Sequence, residues 1–229
     1  MARPSLGYRN AADKKVPGVT TILKQVAAGM DSDVLCRWVH KLATAGLDWY
    51  EERDKAGKHG TLLHELAEFH LPMPFCHEWP EVKGKPDEQV AKLKATYDAI
   101  RAWWLKEQPA AVAAEEALVS ESLQFGGTFD AVVQFPEGSV YPGLWLLDYK
   151  TGSQVGVKEC AQMSAYRLLL HEVKGMRIAG AILIHAPTKH PGTIRPVRLD
   201  AAALDLGEKV FLSALDLTRL VREIKAVME

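Results

Sequence analysis

Apolar residues recur at helical intervals through the first half of the chain, then give way to short runs and alternation in the second. The turn signal Val16-Pro17-Gly18 precedes Val19-Thr20-Thr21-Ile22-Leu23, which predicts a helix start with Thr near the cap. Val34, Leu35, Trp38, Val39 and Leu42 predict a helix over 32–45, with Ser32 or Asp33 as its cap. A third helix is expected to begin near Gly60-Thr61 and to carry Leu62, Leu63, Leu66, Ala67 and Phe69. Leu71-Pro72-Met73-Pro74 should stop it, because proline cannot continue a helix and disfavours the α conformation before it. Residues 79–87 are rich in Pro, Gly and charge and read as a loop. Val90, Leu93, Tyr97, Ile100 and Trp104 then define a long helix over 87–107, closed by Pro109.

Beyond Pro109 the period changes. Residues 117–123 and 128–135 predict two strands joined through Phe125-Gly126-Gly127 as a hairpin turn. Leu144-Trp145-Leu146-Leu147 is the short apolar run of a strand buried on both faces, and it leads directly into Asp148. A helix over 158–172, a strand over 178–185, a short strand over 193–199 and a closing helix over 200–227 complete the order. This succession predicts an α/β (α+β) fold with a mixed central sheet flanked by helices. A helical N-terminal part, 1–110, is expected to pack on a core formed by 111–229, giving one compact domain.

Composition narrows the function classes. With 229 residues, 48% hydrophobic and 25% charged, the chain can bury a core without disulfides or a structural metal. It holds no apolar run long enough to span a bilayer, and residues 1–10 do not read as a signal peptide, so a cytoplasmic location is expected. Cys36, Cys76 and Cys160 are far apart and form no CxxC pair, the usage of reduced thiols. A net charge of −1 supplies no overall positive field, so any polyanion must be met by local charge or by bound cations.

The chemistry is concentrated in Asp148-Tyr149-Lys150-Thr151-Gly152. Residues two apart on a strand share a face, so Asp148 and Lys150 point one way and Tyr149 the other. An exposed Asp-Lys pair at a strand end would look the same in isolation. The upstream segment Phe125-Gly126-Gly127-Thr128-Phe129-Asp130 adds a second carboxylate in apolar surroundings, and a divalent cation shared with Asp148 is a suitable partner for it. Glu115 or Glu116 could supply a third, only one of them facing that side. Hard oxygen donors of this kind suit Mg²⁺ or Mn²⁺ rather than zinc. Lys150 would then orient a water or stabilise charge developing on a phosphate. His64 and Glu68 share a helix face, as do Gln162 and Tyr166. His64 is either a core histidine or an extra metal ligand. Gln162 and Tyr166 either contact a substrate or pack their helix on the sheet.

Gly60-Thr61 with His64, an acid at Glu115 or Glu116, Gly127-Thr128-Phe129-Asp130, Asp148-Tyr149-Lys150-Thr151-Gly152, and Gln162 with Tyr166 stand in an order that resembles the RecB-like exonuclease branch of the PD-(D/E)xK nuclease superfamily. Pro17-Gly18-Val19-Thr20-Thr21-Ile22-Leu23 is also similar to the start of phage and mitochondrial exonucleases of that branch. The resemblance implies a restriction-endonuclease-like fold and a Mg²⁺- or Mn²⁺-dependent DNA exonuclease serving recombination, repair or replication. It implies metal ligation by His64, Asp130, Asp148 and the Tyr149 carbonyl, and a catalytic role for Lys150. It favours Glu116, three residues before Val119, as the remaining acid, and it makes Gln162 and Tyr166 DNA contacts. The branch's iron–sulfur members carry four cysteines, so with three no cluster is expected. The implied partner is DNA, as single strands or duplex ends, with a single-strand-annealing or recombination protein as companion and no membrane. Local contacts to DNA would come from side chains such as Arg37, Trp38, Lys41, Lys58, Arg167 and Lys189. A structure-specific or flap endonuclease, and a non-catalytic DNA-binding recombination accessory protein, are the competing readings. The complete set of Asp130, Asp148 and Lys150 weighs against the accessory protein.

Overall fold

The computed structural model describes residues 4, 7–24, 32–70, 87–152 and 154–228. In chain order its elements are α1 (Val19–Ile22), α2 (Ser32–Thr44), α3 (Trp49–His70), α4 (Asp87–Glu107), β1 (Ala110–Ala114), β2 (Ala117–Ser120), β3 (Phe125–Thr128), β4 (Ala131–Gln134), β5 (Leu144–Lys150), α5 (Val157–Lys174), β6 (Ile178–His185), β7 (Arg195–Leu199) and α6 (Ala201–Met228). The expected helix stop at Leu71–Pro74, the loop over 79–87 up to residue 86, and Cys76 lie outside the described residues, as do the side chains of Val34, Leu35, Leu62, Leu66, Ala67 and Phe69.

Five strands form a mixed sheet in the order β1-β4-β5-β6-β7, and β2 with β3 forms a separate two-stranded ribbon. Among the described strands of this sheet, only the β5–β6 pair is parallel. Parallel neighbours need a crossover, and α5 supplies it. The alternation of β5 sorts its side chains between two cores. Leu146, with Val132, Ala181 and Leu183, faces α5 and α6 through Met163, Leu169, Leu170, Leu204, Phe211 and Leu215. Trp145, Leu147 and Tyr149, with Ala131, Val133, Ile182 and Ile184, face α4 through Leu93, Tyr97, Ile100, Trp103 and Trp104, and Leu63 of α3 joins them. Each fully buried side chain of this kind stabilises the fold by about 1.5–3 kcal/mol. That is why the run from Leu144 to Leu147 shows no polar alternation.

Three local expectations are corrected. Helix α3 starts at Trp49 rather than near Gly60, because Asp48 caps it: its Oδ1 accepts the Tyr50 and Glu51 amides at 2.7 and 3.0 Å. Gly57 and Gly60 hide that helix in the sequence. Phe125-Gly126-Gly127 is not a turn but lies inside β3, and the reversal falls at 121–124, with Gln124 in the left-handed region (φ 53°) and its amide on the Ser120 carbonyl at 2.9 Å. The single strand expected over 128–135 is broken at Phe129-Asp130, so β3 pairs with β2 while β4 enters the main sheet. β1 had no sequence signature, since four of its five residues are alanine, and pairing with β4 makes it a strand.

Candidate active site

The break before β4 and the run of β5 together create the site. β4 and β5 are antiparallel with Ala131 opposite Leu147, so one step further Asp130 stands across from Asp148. Both lie in phase with Val132 and Leu146, on the face covered by α5. The Tyr149 amide donates to Asp130 Oδ2 at 3.1 Å, which fixes that carboxylate against β5. Asp148 is 2% exposed, and its Oδ2 lies 2.6 Å from the Nζ of Lys150, itself 20% exposed. Burial pulls the Lys150 ammonium towards neutrality, but the negative charges of Asp148 and Asp130, the hydrogen bond to Asp148 and the charge of Glu159 outweigh it, so its pKa lies above the ordinary lysine value. Two carboxylates and one cation therefore share a single face at the end of the sheet, with Asp148 buried and Asp130 and Lys150 partly exposed.

The Tyr149 ring points to the opposite face, where its hydroxyl accepts the Trp104 indole N–H at 3.0 Å. Burial holds this phenol well above the usual tyrosine range. Helix α5 brings Gln162 and Tyr166 over the carboxylates. Both are buried, 7% and 3% exposed, and the Gln162 amide donates to the Tyr166 hydroxyl at 2.8 Å. Burial, and then the nearby charge of Asp148, push the Tyr166 phenol strongly upward. Gly127 makes this approach feasible, since a Cβ there would stand 2.8 Å from Tyr166 Cε1 and 3.0 Å from Val19 Cγ2. Gln162 and Tyr166 thus form an inner wall of the site.

The remaining sequence-predicted residues are distributed unequally. Glu116 forms an ion pair with Lys174 in the last turn of α5, and the structure does not bring it to Asp130 and Asp148. Its neighbour Glu115 is nearer: it sits in the left-handed region (φ 52°), and its amide donates to the Asp130 carbonyl at 3.0 Å. Among the described residues, no group of three His, Cys, Asp or Glu converges as a metal cage. The His64 side chain lies outside the described ones, but its helix reaches the site: a Cβ on Gly60 would stand 3.1 Å from Thr151 Oγ1, just past Lys150. Lys58 is exposed on that helix and Arg37 is exposed on α2. Arg167, expected at a DNA surface, instead ties α5 to α6 through Asp205 and Glu208, at 2.8 Å each. Cys36 and Cys160 are free thiols.

His185 is a site neighbour that sequence reasoning passed over, because it ends an apolar strand with no motif around it. It pairs in register with Lys150, and its Nε2 lies 2.8 Å from the Gly152 carbonyl. The Ala186 amide donates to the Lys150 carbonyl at 2.8 Å, so β6 holds the backbone on which Lys150 sits.

Asp130 and Asp148 offer hard oxygen donors on one face, a set that fits Mg²⁺ or Mn²⁺, which keep several waters and need few protein carboxylates. No helix among the described residues is long and apolar enough to cross a membrane.

The chain is similar to a candidate exonuclease from Eubacterium rectale, with a TM-score of 0.46 and 10% identity, over 72% of this chain and 66% of the other, just under two thirds of its length. It is also similar to the alkaline exonuclease LHK-Exo from Laribacter hongkongensis, with a TM-score of 0.34 and 11% identity, over 72% of this chain and 92% of the other. No curated protein matches it in sequence. Residues 34–226, most of the chain, match the sequence profile of the PD-(D/E)XK nuclease superfamily, and the chain belongs to that superfamily.

Proposed function

We propose that the chain is a divalent-metal-dependent deoxyribonuclease that digests DNA from its ends. The observation that carries this reading is the one face of the sheet shared by Asp130, Asp148 and Lys150. Asp130 and Asp148 would hold Mg²⁺ or Mn²⁺, with the Tyr149 carbonyl and His64 as further ligands. When bound, such an ion polarises the phosphate and lowers the pKa of an attacking water. Lys150 keeps its proton beside Asp148 and is placed to stabilise negative charge growing on the phosphate, or to orient the water. Tyr166 and Gln162 exclude bulk water from the carboxylates and face the substrate from α5. Glu115, hydrogen-bonded through its amide to Asp130, replaces Glu116 as the preferred third acid.

Superfamily membership supports a nuclease, and the order of motifs, from Gly60-Thr61 to Tyr166, supports an exonuclease acting in recombination, repair or replication. End-labelled linear DNA and covalently closed circles, single-stranded and duplex, should be incubated with Mg²⁺, Mn²⁺ or EDTA beside Asp148→Ala. Metal-dependent loss of linear DNA alone, abolished in the variant, is the expected result. Cleavage of closed circles would make the enzyme an endonuclease. DNA bound but never cut, under any metal, would overturn catalysis in favour of an accessory protein.

A further inference from the structure

The sheet continues past Lys150 in a way the catalytic reading does not use. Lys150 pairs with His185 across the parallel β5–β6 ladder, and His185 pairs with Arg195 across the antiparallel β6–β7 ladder. Residues directly paired in a sheet point to the same side. Lys150, His185 and Arg195 therefore form one row, on the face that carries Asp148. Val197 and Leu199, in phase with Arg195, confirm the side by packing into the core beneath α5, whereas Arg198 lies over the Trp145 ring on the other side. His185 and Arg195, the part of the row beyond Lys150, line a cleft of ≈ 550 Å³ together with Gln154, Val155, Pro187, His190 and Thr193.

Three properties of the cleft point to a nucleic-acid strand. Its lining holds one permanent cation, two imidazoles and two neutral polar side chains, with no carboxylate. Among the described residues, no acidic side chain pairs with Arg195, whereas Arg167 on α5 is held by Asp205 and Glu208. Finally, the cleft opens where the chain leaves Lys150: Gln154 and Val155 follow the catalytic strand within the same loop, and His185 fixes that loop through Gly152. Val155 and Pro187 add apolar surface of the kind on which a sugar or base edge can rest.

We infer that this cleft is a substrate subsite, in which Arg195 binds a backbone phosphate of the DNA strand whose scissile phosphate lies at Lys150. Two strand spacings separate the two residues, roughly 10 Å. A stacked strand rises about 3.4 Å per nucleotide along its axis, and its phosphates also wind around that axis, so the phosphate at Arg195 lies within about three nucleotides of the scissile one. His190 and Thr193, on the β6–β7 connection, border the same path. The subsite rests on the deoxyribonuclease reading and extends it: the enzyme grips its substrate several nucleotides to one side of the cut.

The test is binding and cleavage of fluorescent single-stranded oligonucleotides by the full chain. Binding is measured with Ca²⁺ across a salt series, for wild type, Arg195→Gln, Arg195→Lys and the distant surface control Lys209→Gln. Loss of one phosphate contact should weaken binding about five- to twentyfold and lower the salt slope by roughly one in Arg195→Gln. Arg195→Lys should keep the slope, and Lys209→Gln should change neither quantity. In cleavage with Mg²⁺ or Mn²⁺, the Arg195→Gln defect should appear in KM on longer oligonucleotides and vanish on dinucleotides, which are too short to reach Arg195. A wild-type enzyme that binds and cuts DNA while Arg195→Gln keeps its affinity and slope would overturn the subsite alone. A defect that persists at full strength on dinucleotides would also overturn it. A wild type that neither binds nor cuts DNA would sink the parent reading instead.

Discussion

Replacing Lys150 by alanine separates the two jobs that its ammonium performs. In the folded protein the Nζ lies 2.6 Å from an oxygen of Asp148, which is 2% exposed. Removing one partner of a buried ion pair costs about 3–5 kcal/mol. Lys150 is 20% exposed, so water can reach the vacated place, and a loss of about 2–3 kcal/mol is the reasoned figure. For a chain of this size each kcal/mol moves Tm by roughly 2–4 °C, which predicts a fall of about 4–12 °C without metal. The folded pKa of Lys150 is raised, so the stability its pair contributes is fully present below the unfolded lysine value and is lost only as pH rises through the folded one. The gap between wild type and variant should therefore be wide at neutral pH and close only under strongly alkaline conditions. Mg²⁺ or Mn²⁺ should stabilise both proteins, and the variant more than wild type. A divalent ion at about 100 times its Kd stabilises by about 2.7 kcal/mol. The ammonium no longer competes for Asp148 in the variant, so the metal-induced rise in Tm should be larger there than in wild type. Cleavage, by contrast, should be lost at every metal concentration. Thermal unfolding followed by circular dichroism, with and without metal and beside the nuclease assay, reads all of this. A variant that melts within about 1 °C of wild type in EDTA, well inside the expected shift, or that still cuts DNA at the wild-type rate, would refute the argument.

Three further outcomes follow from the packing. Gly127→Ala places a Cβ against Tyr166 and Val19, so it should cost about 1–3 kcal/mol, read by denaturant unfolding, and should also reduce cleavage by displacing Tyr166. Tyr149→Phe leaves the buried Trp104 indole N–H without its acceptor and should cost about 1–3 kcal/mol, while changing cleavage far less than Lys150→Ala does, because the ring lies on the far face of β5. Glu172 receives hydrogen bonds from the Ser120 and Ser122 hydroxyls and the Ser122 amide. Burial raises its pKa somewhat, but those bonds hold it below the ordinary carboxylate value. Its contribution is present above the unfolded value and lost as pH falls through the folded one, so Glu172→Gln should narrow the acid-side loss of stability seen in wild type.

The strand carrying Asp148 and Lys150 was legible because a two-residue period and a run of buried apolar side chains leave little choice of conformation. The helices around 32–44 and 87–107 were legible for the same reason at a different period. What the residues concealed depended on contacts distant in sequence. Gly126 and Gly127 read as a turn, but Gly127 is small because Tyr166 approaches from α5. β1 is a strand only because β4 lies beside it. The preference for Glu116 rested on spacing from Val119, and spacing could not reveal that Lys174 engages that carboxylate. His185 gave no signal at all, since its importance comes from a register with Lys150 that exists only once β6 is placed.

The two edges of the main sheet are guarded by different means. β7 carries Arg195, Pro196 and Arg198, charges and a missing donor that discourage an incoming strand. β1 has no charge and no proline among Ala110–Ala114, and its protection is the irregularity between Ala111 and Ala113, which twists the ladder out of register with any flat neighbour. Among the described residues, that irregularity is what sets β1 apart from a flat edge open to pairing. A lysine at the exposed Val112 would give that edge the charge it lacks, and would make the protein easier to keep in solution without touching the nuclease face.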